Sequence, residues 1–126
     1  MTTLVRAPEA SQESAVVTKA FIRAGQALGL NGKQLAQIID VSEAQISRMA
    51  TGTVELSRSK VHQWGASLLL IRIYRALMTT MGDQSAAKIW LHSYNTVLQA
   101  LPINLIESYE GLIDVARYLD FQRGQF

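Results

Sequence analysis

The chain contains no cysteine, which excludes a disulfide scaffold, thiol catalysis and a zinc site with cysteine ligands. Long apolar runs are also missing, since the longest, Leu68–Ile71, is far too short to span a bilayer. Arg6 near the start is not followed by an apolar stretch, so we predict no signal peptide. We therefore expect a soluble cytoplasmic protein.

Patterns typical of catalysis or cofactor binding are scarce as well. The only two histidines, His62 and His92, have no second metal ligand three or four residues away. Gly29 and Gly32 are not followed by the Lys-Ser or Lys-Thr pair of a phosphate-binding loop. We predict that the protein is not an enzyme and has no cofactor or metal site.

Positive charge is concentrated in one half of the chain, although the formal net charge is only +2. Residues 14–62 contain six basic and three acidic side chains, whereas residues 63–126 contain five of each. A local excess of positive charge is what neutralisation of DNA phosphates requires. Because six positive charges are a modest number, tight binding to an operator would need two copies of the chain, so we predict a homodimer.

Two short amphipathic segments flank a turn in this basic half. The first, Lys33–Ile39, has its apolar residues at helical spacing. Asp40 and Val41 interrupt the pattern, and aspartate tolerates the left-handed backbone of a tight turn. Ser42 is predicted to open the second helix as its N-cap, with Gln45 completing a capping box. Two short helices joined in this way indicate a helix-turn-helix.

The second of these helices offers polar side chains to a DNA groove, because Ile46 and Met49 form its buried face. Gln45 can pair with adenine, and Arg48 with guanine or a phosphate. The start of the first helix is expected to contact the DNA backbone. The full predicted DNA-binding set is Lys33, Gln34, Ser42, Glu43, Gln45, Ser47 and Arg48. The alternative is an ordinary helical hairpin that binds no DNA.

Helical patterns cover most of the remaining chain, and no strand pattern appears. A helix over residues 13–28 is expected to support the two short helices. The longest helix is predicted to begin at Ser57 or Ser59 and to end near Met81, and its many apolar residues must be buried on two faces. Its main apolar stripe contains Val61, Trp64, Leu68, Ile71, Tyr74, Met78 and Met81. We therefore predict an all-α fold in which this helix joins two halves.

Four shorter helices are predicted after the long one. Asp83 is expected to cap the first and Asn95 the second, and Pro102 suits the first turn of the third. Gly111 is expected to separate the third from a last helix over residues 112–121. The apolar residues of that helix that are predicted to be buried are Val115, Leu119 and Phe121.

The order of residues in the first half resembles the Xre (phage-repressor-like) helix-turn-helix family. The resemblance is carried by Leu35-Ala36, Val41, Ser42 and Ile46-Ser47. The chain departs from the family pattern at Asp40, where a turn glycine is usual. It departs again at Gly32, where a glutamine that contacts a phosphate is common.

The second half resembles the toxin-binding domain of the Xre/MbcA/ParS antitoxins. The resemblance covers roughly residues 68–124, and its signature is the run Trp90–Leu98, which has Tyr94 where a proline is common. Ala100 stands where that family often has a glycine. The match continues through Pro102–Ile106, Glu110-Gly111, Val115, Leu119 and Arg123-Gly124.

These resemblances imply an antitoxin that occludes the active site of a cognate RES-domain, NAD-degrading toxin. They also imply that its helix-turn-helix binds palindromic operator DNA as a repressor that autoregulates the operon. The implied toxin-binding residues are at the C-terminal end: Arg123, Gly124, Gln125 and Phe126. The alternative is a stand-alone transcriptional regulator whose second half binds a small effector or only dimerises.

We accordingly divide the chain into three parts. Residues 1–12 are predicted to be a disordered arm, and residues 13–58 a DNA-binding domain. Residues 59–126 are predicted to be a helical domain for dimerisation and toxin binding.

Overall fold

The computed structural model describes residues 3–124, with side chains described from residue 12 onward. Within this part of the chain, the fold consists of seven α-helices and contains no β-strand, so the prediction of an all-α protein is confirmed. None of these helices is both long enough and apolar enough to cross a lipid bilayer. The helices are α1 (Thr3–Ala27), α2 (Gly32–Ile39), α3 (Glu43–Thr51), α4 (Val61–Met81), α5 (Gln84–Leu91), α6 (Pro102–Leu105) and α7 (Tyr109–Arg123).

Helix α1 begins much earlier than the sequence pattern indicated. The disordered arm was predicted over residues 1–12, but the helix extends back to Thr3. Alanine, glutamate, glutamine and arginine are good helix formers, and extending an existing helix costs far less than nucleating a new one. Pro8 removes one backbone donor without ending the helix. In the structure, residues 3–12 belong to α1.

Helix α4 lies at the centre of the molecule and packs against α1 and α2 on one side and α5 and α7 on the other. The prediction that this helix joins the two halves is confirmed. Two members of the predicted apolar stripe lie outside the core, since Val61 is 77% exposed and Leu68 is 43% exposed. Ile71 is buried as predicted, and Trp64, Tyr74 and Met81 pack against the core. The side chains that form the centre of its buried face are Ala66, Leu70, Ile73 and Leu77.

The two halves share one hydrophobic core. Phe21 of α1, Ile39 of α2, Leu70 of α4 and Leu112 of α7 belong to the same cluster of buried side chains, and each is fully inaccessible to solvent. Burial of apolar side chains supplies most of the driving force for such packing. Helices α1, α2 and α7 are therefore held in a fixed arrangement around α4.

A buried hydroxyl fixes the loop that precedes α4. Thr18 of α1 is 3% exposed, and its Oγ1 accepts a hydrogen bond of 2.8 Å from the backbone N–H of Leu56. The same hydroxyl donates to the carbonyl oxygen of Ser14 at 2.6 Å. Because a buried polar group is stable only when it is hydrogen-bonded, this pair of contacts anchors the loop on α1.

The segment between α5 and α6 is a turn, so the prediction that Asn95 caps a helix here is wrong. The backbone N–H of Asn95 donates to Ala100 at 2.9 Å, while its side-chain oxygen accepts from the N–H groups of Val97 and Leu98 at 3.0 and 2.9 Å. Gln99 adopts a left-handed backbone with φ 57°. An asparagine side chain can accept hydrogen bonds from backbone N–H groups in a turn as well as at a helix start. The local sequence therefore does not distinguish a turn from a helix cap.

The last helix also begins earlier than predicted. Ser108 caps α7 by accepting a hydrogen bond of 3.0 Å from the N–H of Gly111, which lies inside the helix and does not precede it. Val115 and Leu119 are buried as predicted. Phe121 was predicted to be buried, but it is 66% exposed.

Candidate functional site

The turn between α2 and α3 has the geometry that the sequence predicted. Asp40 ends α2 in a left-handed conformation with φ 59°, and its N–H donates to the carbonyl oxygen of Ala36. The N–H of Val41 donates to the same oxygen at 3.0 Å. Ala36 is only 6% exposed, as expected for a small residue where two helices cross closely. The helix-turn-helix therefore forms with aspartate at the usual position of glycine.

The capping box predicted at the start of α3 does not form, whereas the start of α2 has one that was not predicted. The side chain of Asn31 accepts from the N–H of Gln34 at 2.8 Å, and the side chain of Gln34 accepts from the N–H of Asn31 at 2.8 Å. At α3, Ser42 accepts from the N–H of Gln45 at 3.1 Å, which confirms its role as N-cap. The Gln45 side chain does not complete a box there.

Gln45 contacts Arg48 instead. Its Oε1 accepts a hydrogen bond of 3.4 Å from Nη1 of Arg48 one turn further along α3. Gln45 is half-buried, whereas Arg48 is exposed. The long and mobile side chain of Arg48 thus has a neighbour that can orient it before any DNA is bound.

Most residues of the predicted DNA-binding set are exposed in the structure. Glu43, Ser47 and Arg48 are exposed, while Ile46 and Met49 are buried at 4% and 5%. Glu43 and Ser47 share a groove of about 370 Å³ with Gly32 at the start of α2, so the two helix starts lie together. Lys33 and Ser42 are exposed as well, and Gln34 is half-buried.

Sequence reasoning missed two residues on this surface, Ala44 and Thr51. Both are exposed, and with Arg48 they follow the spacing i, i+4, i+7 that places three residues on one stripe of a helix. This stripe lies opposite the buried positions 46 and 49, so it is the part of α3 that is furthest from the core. Helical spacing places both residues on the face opposite Ile46 and Met49, so the sequence contained the signal that would have identified them.

Further positive charge lies beside α3. Lys19 and Arg23 of α1 line a groove of about 460 Å³ that also includes Thr51 at the C-terminal end of α3. Arg58 pairs with Glu13 at 3.0 Å, so its charge is partly neutralised. The basic residues that remain close to α3 are therefore contributed mainly by α1 and α2.

The C-terminal end of the described chain continues from α7. Arg123 is the last residue of this helix, and its guanidinium lies 3.5 Å from the carboxylate of Asp120. Asp120 also pairs with Arg72 of α4, which ties the end of α7 to the central helix. Gly124 follows as an exposed residue. Gln125 and Phe126, the other two predicted toxin-binding residues, lie outside the described residues.

The two histidines have ordinary structural contacts. The ring of His62 lies 4.9 Å from the ring of Tyr109, and Nδ1 of His92 lies 2.9 Å from the carbonyl oxygen of Lys88. Among the side chains from residue 12 to 124, no group of three or more histidine, aspartate or glutamate residues is arranged to hold a metal ion.

Both halves of the chain match models of known protein families. Residues 7–72, more than half of the chain, match the family model of the antitoxin Xre-like helix-turn-helix domain. The chain belongs to the Xre-type antitoxins. Residues 76–124 of the antitoxin match the model of the antitoxin Xre/MbcA/ParS C-terminal toxin-binding domain. A search of curated proteins gives no match to the antitoxin.

These matches confirm the two resemblances seen in the sequence, and they identify a DNA-binding half and a toxin-binding half. The boundary between the matches, residues 72 to 76, lies within α4. This position explains why the antitoxin has one continuous core, since the helix that ends the first domain also supports the second. Which side chains contact DNA or toxin stays a prediction.

Proposed function

We propose that this antitoxin neutralises a cognate RES-domain toxin that degrades NAD, and that it binds operator DNA to autoregulate their operon. The observation that carries the proposal is the joining of a helix-turn-helix and a toxin-binding domain through one rigid helix, α4. Such an arrangement lets a single chain bind operator and toxin at the same time. RES toxins are proposed as the partner class because the resemblance of residues 90–124 favours them.

The direct test is co-expression with the protein encoded by the neighbouring gene. If that protein is a RES-domain toxin, we expect it to co-purify with the antitoxin and to consume NAD only when the antitoxin is absent. A stand-alone regulator would instead bind operator DNA and leave the rate of NAD consumption unchanged. The assay therefore separates the two function classes that the sequence left open.

The first prediction for DNA binding concerns Gln45. We expect Gln45→Ala to weaken operator binding by about 1–3 kcal/mol and to relax the preference at one base position. The loss has two sources, since Gln45 can pair with adenine and also accepts a hydrogen bond from Arg48. The matched control is Gln84→Ala, because Gln84 is an exposed glutamine on α5, in the toxin-binding half.

Gel-shift titration on the operator and on single-base variants would measure both effects. Unchanged affinity together with unchanged base preference for Gln45→Ala would show that α3 is not the recognition helix. A uniform loss on all sequences would indicate that Gln45 acts only through a phosphate contact.

The second prediction is that two antitoxins bind one palindromic operator. One helix of nine residues buries little surface, so we expect two recognition helices in half-sites about 34–36 Å apart, or a multiple of that distance. The candidate dimer contact is the segment Ser59–Met81, on which Val61 and Leu68 stay exposed. Light scattering and footprinting would test this, and a monomeric complex on a non-repeating site would contradict it.

A further inference from the structure

An open apolar groove lies on the outer face of the toxin-binding half. It has a volume of about 450 Å³, and its apolar walls come from the turn after α5, the end of α6 and one face of α7. The side chains that form these walls are Val97, Leu98, Leu105, Tyr118 and Phe121. We call this surface the α7 groove.

Two large apolar side chains of the α7 groove are exposed to solvent. Val97 is 69% exposed and Phe121 is 66% exposed. Contiguous apolar surface of this kind on a folded protein is typical of an interaction site, because it is costly to leave in contact with water. Exposed apolar residues scattered singly need no explanation, but these two line the same groove.

The walls of the groove are held in place before any partner binds. The side chain of Asn95 accepts hydrogen bonds from the N–H groups of Val97 and Leu98 and so fixes the turn that carries both. Tyr118 stacks on Trp90 of α5, with ring centroids 6.1 Å apart and an interplanar angle of 22°. A preorganised surface loses little conformational entropy on binding, which favours affinity.

Two charged residues complete the groove. Asp114 and Arg117 are exposed and lie on successive turns of α7. Among the described side chains, Arg117 forms no ion pair. An apolar centre with a charged rim, including an arginine and a tyrosine, is the composition typical of protein–protein contacts.

We propose that the α7 groove is the docking surface for the toxin, and that it receives an apolar ridge or helix of the toxin with a carboxylate placed to pair with Arg117. This inference rests on the proposed function. The whole groove lies within residues 76–124, which match the toxin-binding domain. It is also continuous along α7 with Arg123 and Gly124, two of the residues that the family resemblance implies in toxin binding.

The test uses the full-length antitoxin and the purified product of the neighbouring gene. Val97→Asp and Arg117→Glu are each expected to raise the Kd for the toxin by about tenfold or more. Val16→Asp on α1 is the matched control, because Val16 is 67% exposed and lies outside the toxin-binding half. Operator binding by every variant, measured in parallel, reports that the shared core is intact.

Four outcomes distinguish the possibilities. Weaker toxin binding by both groove variants, with Val16→Asp and operator binding unchanged, supports the proposal. Unchanged toxin affinity of Val97→Asp and Arg117→Glu overturns it and leaves the proposed function standing. Loss of self-association with unchanged toxin affinity also overturns it, since the occupant is then a second copy of this chain. If the wild-type antitoxin does not bind the toxin, the proposed function itself fails, and this inference fails with it.

Discussion

Gly111→Ala is expected to lower the free energy of unfolding by about 3 kcal/mol or more, because the new methyl group has no space. A Cβ atom at this position would lie 1.7 Å from the carbonyl oxygen of Leu105 and 2.5 Å from its carbonyl carbon. Both are backbone atoms at the end of α6, so a side-chain rotation cannot relieve the clash. The two helices would have to separate, which would open the core around Leu112.

A second effect acts in the opposite direction but is smaller. Alanine is a better helix former than glycine by roughly 1 kcal/mol, and Gly111 lies within α7. The backbone clash is expected to dominate, since a contact of 1.7 Å is far inside the van der Waals distance. Urea unfolding followed by circular dichroism would measure the net change.

Gly32→Ala is the matched control for this prediction. Gly32 is the first residue of α2, and a Cβ added there would meet no atom within 4 Å. We expect its stability to be unchanged or raised by up to about 1 kcal/mol. If Gly111→Ala unfolded at the same urea concentration as the wild type, the close packing of α6 on α7 would be disproved.

The helix-turn-helix could be predicted closely because its signals are local. The cap at Ser42 and the left-handed turn at Asp40 each depend on residues within one turn of the backbone. The exception is instructive: Gln45 has the spacing for a capping box but contacts Arg48, whereas Gln34 forms the box with Asn31. Spacing identifies a possible partner, and competition between neighbours decides which bond forms.

The parts that could not be predicted depend on contacts between distant segments. Helix α4 has apolar residues on nearly every side, so periodicity alone did not show that Leu70 and Ile73 are buried while Val61 is exposed. Likewise, Gly111 appeared to be a helix break, since a sequence does not reveal that its missing side chain makes room for Leu105. Tertiary packing outweighs local propensity at both positions.

The candidate sites also have a part that could be predicted from the sequence and a part that could not. The polar residues of α3 could be named from helical spacing, although Ala44 and Thr51 were missed because the exposed stripe through Arg48 was not extended in both directions. The α7 groove could not be foreseen, because it combines a turn, the end of α6 and two turns of α7. Phe121 was even expected to be buried, on the reasoning that a large apolar residue belongs in the core.

Deletion of Arg123–Phe126 is expected to restore most of the toxin's NAD consumption while the complex stays assembled. We propose that these residues, which the family resemblance implies in toxin binding, enter the NAD pocket of the toxin and occlude it. The α7 groove is retained in the truncated antitoxin, as is the pairing of Asp120 with Arg72 that fixes the end of α7. Removal of four residues would therefore separate docking of the toxin from occlusion of its active site.

Two measurements on the same samples would check this prediction: NAD consumption by the mixture and co-elution of toxin with antitoxin. Arg123→Ala is a useful companion, because it removes one charge and keeps the length of the chain. If Arg123→Ala inhibits fully and the truncation does not, the tail acts mainly by filling the pocket. If both fail to inhibit, the guanidinium is required.

Full inhibition by the truncated antitoxin would rule out occlusion by the tail. Docking at the α7 groove would then have to block the access of NAD by itself. Operator binding by the truncated protein should stay at the wild-type level in every case, because α7 packs mainly on α4 and α6, whereas α3 packs on α1 and α2.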